Sequence, residues 1–323
     1  MTSNRHPDSR QRAWLVRSAT DASMGVAVTL VAAKAWAWLA TDSVSLLSSL
    51  ADSLLDLFAS ALTFWAVRYS LAPADAEHRF GHGKSEGLAA LVQALIIGAS
   101  GLFVCREAIQ RFAEPQPITR PEVGVLVVLA ATLATVLLVG YQRYVSKRTG
   151  SIAIGADAMH YTTDILVNLS VGVAVVLTAW TGWRLMDPLV GLGVAAYILF
   201  GAFRMAAQAL DILLDREIPE ADRQRIKVIA LTHPEVLGLH DMRTRHGGSN
   251  YIVQFHLDFP REISLWRSHE VMDEVEDQIR TEFSGCEIII HADPLGIAES
   301  KDRFEAAPGA APGPAASSPS KAH

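Results

Sequence analysis

The stretch SVSLLSSLADSLLDLFASALTFWAV, residues 43–67, decides the fold that this sequence predicts. A helix needs about 20 mostly apolar residues to cross a bilayer core about 30 Å thick, and this stretch is long and apolar enough. Five more segments of the same kind lie at about residues 14–39, 87–110, 122–142, 152–181 and 185–206. The sequence therefore predicts an all-α membrane domain of six transmembrane helices.

The apolar residues, which make up 50% of the 323 residues, are concentrated before residue 214. The remainder has the composition of a soluble domain, followed by a tail of Ala, Pro and Ser that cannot bury a core. We expect a cytoplasmic N-terminal tail at 1–13, a six-helix transport domain at 14–213, a cytoplasmic metal-binding regulatory domain at 214–298 and a disordered tail at 299–323. The net charge of −6 gives no indication of a nucleic-acid partner.

Basic residues in the short loops predict the orientation, because loops rich in Lys and Arg stay in the cytoplasm. One side carries Arg5, Arg10, Arg12, Arg17, Arg79, Lys84, Arg143, Lys147 and Arg148, and the other carries Arg111, Arg120 and Arg184. The N-terminus is polar and basic and has no short apolar core, so we expect no removable signal peptide. The prediction is a multi-pass protein of the cell (inner) membrane with both termini in the cytoplasm.

The segment 214–298 alternates between helix and strand patterns. A polar helix at 219–231 precedes two strands around a turn at 247–250, and an amphipathic helix at 264–283 precedes a short buried strand at 287–291. The order αββαβ predicts a small α+β domain in which two helices cover one sheet.

Ionisable residues lie inside two of the predicted spans: Asp52 and Asp56 in the second, His160 and Asp164 in the fifth. The members of each pair are four residues apart and share a helix face. A rise of about 1.5 Å per residue, counted from opposite ends of two antiparallel helices, puts both pairs near the bilayer midplane. Three carboxylates and one imidazole at one depth predict a tetrahedral site that suits Zn²⁺ and accepts Fe²⁺ or Cd²⁺.

Packing between helices is the alternative explanation for intramembrane charges, each of which costs about 2.5–3.5 kcal/mol on insertion scales. Packing alone does not require two pairs at matched depth, so we favour ligation for them. Asp157 lies a turn nearer the cytoplasmic end, and we expect it to pack helices. Lys34, near the outer end of the first span, is predicted to extend its amine toward the membrane surface.

Three motifs follow one another along the chain. Ser43-Val-Ser-Leu-Leu precedes Asp52-Ser-Leu-Leu-Asp56, the next loop reads Pro73-Ala-Asp75-Ala-Glu-His78-Arg-Phe-Gly-His82-Gly-Lys84, and His160-Tyr-Thr-Thr-Asp164 comes later. From about residue 14 to 294 the sequence resembles the cation diffusion facilitator family, and more narrowly its bacterial ferrous-iron/zinc efflux branch. The resemblance implies a divalent-metal efflux transporter that forms a homodimer, with six membrane helices and a ferredoxin-like cytoplasmic domain in each protomer.

The resemblance also implies three metal sites. The transport site would comprise Asp52, Asp56, His160 and Asp164, which are the residues already selected by their matched depth. The loop site would comprise Asp75, His78 and His82, and the cytoplasmic site would comprise His240, His256, His269, His291 and Asp293. The expected metals are Zn²⁺ and Fe²⁺, with Cd²⁺ also accepted, and they act as cargo and regulators. No other cofactor is expected.

The residues by themselves support the second and third sites less strongly. A solvated polar loop would explain the three loop residues without any metal. In the C-terminal domain, His256 and Asp258 alternate on one strand and share a face, and His291 and Asp293 do the same while the last strand continues. So many metal-binding side chains in one small sheet favour a metal site there.

Two other functions fit part of the pattern. A membrane-anchored metalloenzyme would need an open coordination position and a reachable general base, and residues 214–298 contain no nucleophile motif, so we expect no enzyme. A metal sensor would need only the cytoplasmic domain, which leaves the intramembrane residues unexplained.

Protons are the expected counter-ions of transport, since the sequence has no nucleotide-binding motif to supply energy. Metal ligands must be deprotonated, so protons and metal compete for the same atoms. The pKa of free imidazole is about 6.5, close to neutral pH. His160 is therefore the residue expected to exchange a metal ion for a proton. The expected partners are therefore metal ions, protons, the lipid bilayer and a second copy of the chain.

Overall fold

The computed structural model describes residues 9–41, 44–113, 125–181, 185–248, 250–283 and 285–296. Its first part is helical, and the helices are α1 (Ser9–Thr41), α2 (Val44–Ser70), α3 (Ser85–Ala113), α4 (Val125–Thr149), α5 (Ile152–Thr181) and α6 (Met186–Leu213). Residues 1–8 and the predicted tail at 299–323 lie outside the described residues, as does Ser249 in the predicted turn.

Several of these helices are long and apolar enough to cross a membrane, which confirms a helical membrane domain. Within the described residues, the spans that meet both criteria are Arg10–Ala40, Leu50–Ser70, Ser85–Gln110 and Pro188–Leu213, in α1, α2, α3 and α6. The other two helices, α4 and α5, have 25 and 30 residues. Among the described residues, four of the six predicted spans thus meet both criteria.

Small residues allow α3 and α6 to pack closely side by side. A Cβ atom added at Gly101 of α3 would lie 2.9 Å from Ile198 Cγ2 of α6, closer than two carbon atoms can approach. Gly98 faces Ala202 in the same way, at 3.8 Å. Inside a membrane, where lipid is as apolar as Leu, close packing of this kind is what holds two helices together.

The described residues divide into two compact units. One contains α1–α6 together with residues 244–252 and 284–287, and the other contains most of the C-terminal domain. The elements of that domain are α7 (Glu220–Leu231), β1 (Gly238–His246), β2 (Tyr251–Phe259), α8 (Leu265–Glu282) and β3 (Glu287–Pro294). This order confirms the predicted αββαβ pattern, and β3 runs three residues beyond the predicted strand.

Side chains along the central strand of the sheet alternate between an apolar face and a polar face. The strand order is β1-β2-β3, and along β2 the residues Val253, Phe255, Leu257 and Phe259 are buried. On α8, Val271, Val275 and Ile279 recur every four residues and are also buried, as an amphipathic helix against a core requires. His256 and Asp258 therefore lie on the opposite, polar face of the sheet.

Candidate metal sites

Three predicted ligands meet between α2 and α5. His160 Nε2 lies 3.1 Å from Asp56 Oδ1, and one ligand atom each of Asp56, His160 and Asp164 all lie within 4.8 Å of one another. His160 is 5% exposed. The two helices thus bring residues more than 100 positions apart in the chain to one point.

One oxygen of this group has no partner. Asp164 Oδ2 is buried and makes no hydrogen bond to any residue that the structure describes. A buried polar atom left unpaired costs about 1–3 kcal/mol, so such atoms usually have a reason to be there. A buried carboxylate oxygen without a described hydrogen bond, in a residue grouped with an imidazole and a second carboxylate, suits a divalent cation.

Asp52, the fourth predicted ligand, does not join the three. It lies on α2 one turn before Asp56 and is exposed. The structure therefore brings together three of the four predicted residues of the transport site and leaves Asp52 beside them.

Asp157 forms a polar junction one turn away from His160. Its Oδ2 accepts hydrogen bonds of 2.6 Å from Ser23 Oγ of α1 and from Gln142 Nε2 of α4. Ser23 also pairs with Ser60 of α2 at 3.0 Å, and Ser60 pairs with Tyr161 of α5 at 2.8 Å. Hydrogen bonds from three helices to α5 fit the packing role expected for Asp157. Sequence patterns gave no signal for these partners, which come from other helices of the chain.

Lys34 differs from its prediction. Its Nζ donates a hydrogen bond of 2.6 Å to Ser53 Oγ on α2, and Ser53 is 1% exposed. The expectation that the amine extends toward the membrane surface was wrong, because a buried hydroxyl beside Asp52 offers it a closer partner.

The predicted loop ligands lie together between α2 and α3. Nδ1 of His78 and Nε2 of His82 each lie 3.2 Å from an oxygen of Asp75. The backbone N–H of His78 donates to Asp75 and lowers the pKa of its carboxyl below the ordinary value. His82 is 7% exposed, and its ring nitrogens are buried without a well-aligned hydrogen bond to any described residue. The residue types, and a buried imidazole whose nitrogens make no well-aligned hydrogen bond, fit a metal ion.

The cytoplasmic group lies on the polar face of the three-stranded sheet. His256 Nδ1 lies 2.7 Å from Asp293 Oδ2, and His240 Nε2 lies 3.4 Å from the same oxygen. These three residues can each offer a ligand atom within 4.8 Å of the others. The His291 ring lies beside them, with its centroid 4.7 Å from that of His256. Strands β1, β2 and β3 each contribute a residue to the group, so a metal ion bound there would link all three strands.

The structure does not bring His269, the fifth predicted ligand of this site, into the group. Its side chain is 70% exposed on α8, and its nearest acidic neighbour is Asp273 at 3.9 Å. Sequence reasoning did not assign two carboxylates that do lie nearby: Asp258 at 3.5 Å from His240 Nδ1 and Asp241 at 3.9 Å from His256 Nε2. The alternation of Asp258 with His256 on β2 was the available signal for the first of them.

Glycine at position 238 leaves room for the Asp258 carboxylate. A Cβ atom there would lie 2.4 Å from Asp258 Oδ2. A carboxylate that accepts a hydrogen bond from the outer nitrogen of an imidazole fixes the ring so that its other nitrogen faces a metal. Asp258 stands where it can do this for His240.

Comparison with known families agrees with this architecture. A family model for the cation efflux transmembrane domain matches residues 22–214, and one for the cytoplasmic domain of cation efflux proteins matches residues 218–295. Together the two models account for both parts of the chain.

Curated relatives match most of the chain. It is 44% identical over 283 residues to the cation-efflux pump FieF of Escherichia coli O1:K1 and to that of Shigella flexneri serotype 5b, covering 88% of this chain and 94% of each relative. A solved structure, the metal-bound C-terminal domain of the CzcD transporter from Thermotoga maritima, is 20% identical with a TM-score of 0.24 and covers 25% of this chain and 100% of that domain.

Proposed function

This chain belongs to the cation efflux family, and from that premise we propose that it exports a divalent transition metal ion, Zn²⁺ or Fe²⁺, from the cytoplasm in exchange for protons. The protein is a multi-pass membrane transporter of divalent metal cations, like the pumps to which it is similar. The choice of metal, the exchange for protons and the cytoplasmic position of both termini are the parts that we propose.

The group of Asp56, His160 and Asp164 carries the proposal. Two carboxylates and an imidazole lie within 4.8 Å of one another, and one carboxylate oxygen is buried without a described partner. Oxygen and nitrogen ligands in this number suit Zn²⁺ and Fe²⁺. Helix packing would be satisfied by hydrogen-bonded groups and would not leave such an oxygen unpaired.

Asp52 is proposed as the fourth ligand. It lies on the same face of α2 as Asp56, one turn away, and a carboxylate side chain has two rotatable bonds with which to approach the group. An exposed ligand that moves onto the ion completes a tetrahedral set and gives the ion a way in. We assign the transport site to these four residues.

The other two groups are proposed as accessory sites. Asp75, His78 and His82 would bind metal in the loop between α2 and α3. On the sheet, His240, His256, His291 and Asp293 would bind regulatory metal. His269 is exposed on α8, and we propose that it contributes from a second copy of the chain in a homodimer.

Exchange for protons follows from ligand chemistry. A metal ion binds only deprotonated carboxylates and neutral imidazole, so an ion that leaves the site can be replaced by protons on the same atoms. Protons entering from an acidic exterior would therefore promote release there. The membrane-anchored metalloenzyme is disfavoured because the relatives are transporters. A sensor would have no use for ligands within the membrane helices.

Flux through vesicles that contain the purified protein tests the proposal. Asp56→Ala should abolish Zn²⁺ transport, because it removes a ligand that contacts His160. The matched control is Asp21→Ala, which removes an Asp of α1 whose carboxylate is 54% exposed and paired with Arg68 at 2.7 Å; it should transport at the wild-type rate. Wild-type flux in a folded Asp56→Ala protein would overturn the assignment of the site.

A further inference from the structure

Lys34 is a charged residue of α1 to which the proposed transport site assigns no role. Its ammonium lies 2.6 Å from Ser53 Oγ, and Ser53 stands directly after Asp52 and three residues before Asp56 on α2. Residues three apart on a helix lie on the same side. The amine is therefore held against the part of α2 that carries both carboxylates.

The charge of Lys34 also acts on α5. It interacts electrostatically with the Asp164 carboxylate. A Lys or Arg within a membrane helix is costly and rare, and where it occurs it pairs with a partner in the interior of the bundle. Here the amine donates to Ser53, which stands beside acidic residues that are expected to hold a cation.

Charge balance indicates what the amine does there. The three carboxylates of the proposed site carry a charge of −3 when ionised, and a ligated imidazole is neutral. A divalent cation brings the total to −1, and the ammonium brings it to zero. A site without net charge costs least to hold in an interior of low dielectric constant.

We propose that Lys34 is the fixed counter-cation of the transport site, held in place by Ser53. It neutralises the loaded site and, by repelling the bound ion, keeps metal affinity low enough for release. The inference rests on the proposed function, since it assumes that Asp52, Asp56 and Asp164 bind the cargo. Lys34 acts through charge alone and is not itself a ligand.

A purely structural role makes the opposite prediction. If Lys34 only ties α1 to α2 through Ser53, its loss would loosen the ligands and weaken metal binding. If it is a counter-cation, its loss would strengthen binding and slow release. The sign of the change in affinity therefore separates the two roles.

The experiment measures Zn²⁺ binding by calorimetry and Zn²⁺ flux in vesicles. Both use the full chain with His78→Ala and His256→Ala, so that the loop and cytoplasmic groups do not contribute. We expect Lys34→Met to bind Zn²⁺ at least tenfold more tightly, about 1.4 kcal/mol, with a lower KM and a maximal flux reduced at least fivefold. Lys34→Arg keeps the charge, so its Zn²⁺ affinity and its flux should both lie within about threefold of those of the parent.

Two further variants make the outcome unambiguous. Ser53→Ala removes the hydrogen bond but keeps the charge, so its affinity should rise less than that of Lys34→Met. Lys147→Met removes an exposed charge from the last turn of α4 and should change nothing. Unchanged or weaker binding in Lys34→Met would overturn the counter-cation role. Asp56→Ala is measured alongside: if it still binds Zn²⁺, the proposed transport site itself fails, whereas its loss of binding confines any failure to Lys34.

Discussion

Replacing Asp157 by Ala asks whether this buried carboxyl packs helices or binds the transported ion. Asp157 is 1% exposed and accepts hydrogen bonds of 2.6 Å from Ser23 and Gln142. In the variant, Ser23 keeps its hydrogen bond to Ser60. Gln142, itself 1% exposed, loses the acceptor of its amide, and α4 loses this link to α5.

The cost can be built from these contacts. A buried donor left without its acceptor costs about 1–3 kcal/mol, and the small cavity left by the carboxyl adds roughly 1 kcal/mol. We therefore expect Asp157→Ala to lower the free energy of unfolding by about 2–4 kcal/mol. Asp21→Ala is the control, since an exposed ion pair such as the one between Asp21 and Arg68 contributes only about 0–1 kcal/mol.

Unfolding of the purified protein by SDS in mixed micelles measures this difference, and calorimetry measures Zn²⁺ binding in the same samples. Asp157→Ala should be clearly less stable than Asp21→Ala yet bind Zn²⁺ with wild-type affinity while folded. Equal stability of the two variants would refute the packing role. Wild-type stability combined with lost Zn²⁺ binding would instead place Asp157 among the ligands.

Three further changes test other parts of the account. Asp52→His makes the proposed site two imidazoles and two carboxylates, which favours Zn²⁺ over Fe²⁺, so the Fe²⁺/Zn²⁺ flux ratio should fall; an unchanged ratio would remove Asp52 from the site. Lys84 pairs with Asp215 at 2.9 Å, but the two side chains are 43% and 38% exposed. Lys84→Ala should therefore lower the free energy of unfolding by less than about 1 kcal/mol. It should also leave dimerisation nearly intact, which analytical ultracentrifugation can check. A hydrogen bond from Arg225 lowers the pKa of the Glu282 carboxyl below its ordinary value of 4.5. A depressed pKa stabilises the fold at higher pH and loses that effect as pH falls through the folded-state pKa. Glu282→Gln should therefore be less stable than wild type at pH 7, by a margin that narrows as the pH is lowered; a pH-independent difference in urea unfolding would contradict this.

Periodicity was sufficient to predict the elements of the fold. The alternation along β2 identified the face that carries His256, and the spacing of four residues placed His160 and Asp164 on one face of α5. Both patterns depend only on backbone geometry, which the sequence expresses directly. The positions of helix ends were less predictable: α6 continues to Leu213, because helices extend beyond the bilayer where no hydrophobic boundary marks their ends.

Side-chain directions could not be predicted in the same way. Spacing makes Asp52 and Asp56 equivalent, but only Asp56 contacts His160, because the rotation and tilt of α2 are set by packing against its neighbours. The long side chain of Lys34 can reach either the membrane surface or a buried partner, and only the neighbouring helix decides between them. The partners of Asp157 come from helices far apart in the sequence and carry no local pattern.

The central claim is that metal leaves through the group of Asp56, His160 and Asp164 in exchange for protons. The most direct test is Zn²⁺ uptake by vesicles that contain the protein and a pH indicator, with and without an acidic lumen. We expect an acidic lumen to accelerate uptake, the lumen to become more alkaline as Zn²⁺ enters, and Asp56→Ala to abolish both signals. Uptake at the same rate with and without the gradient, and without any change in luminal pH, would contradict the claim.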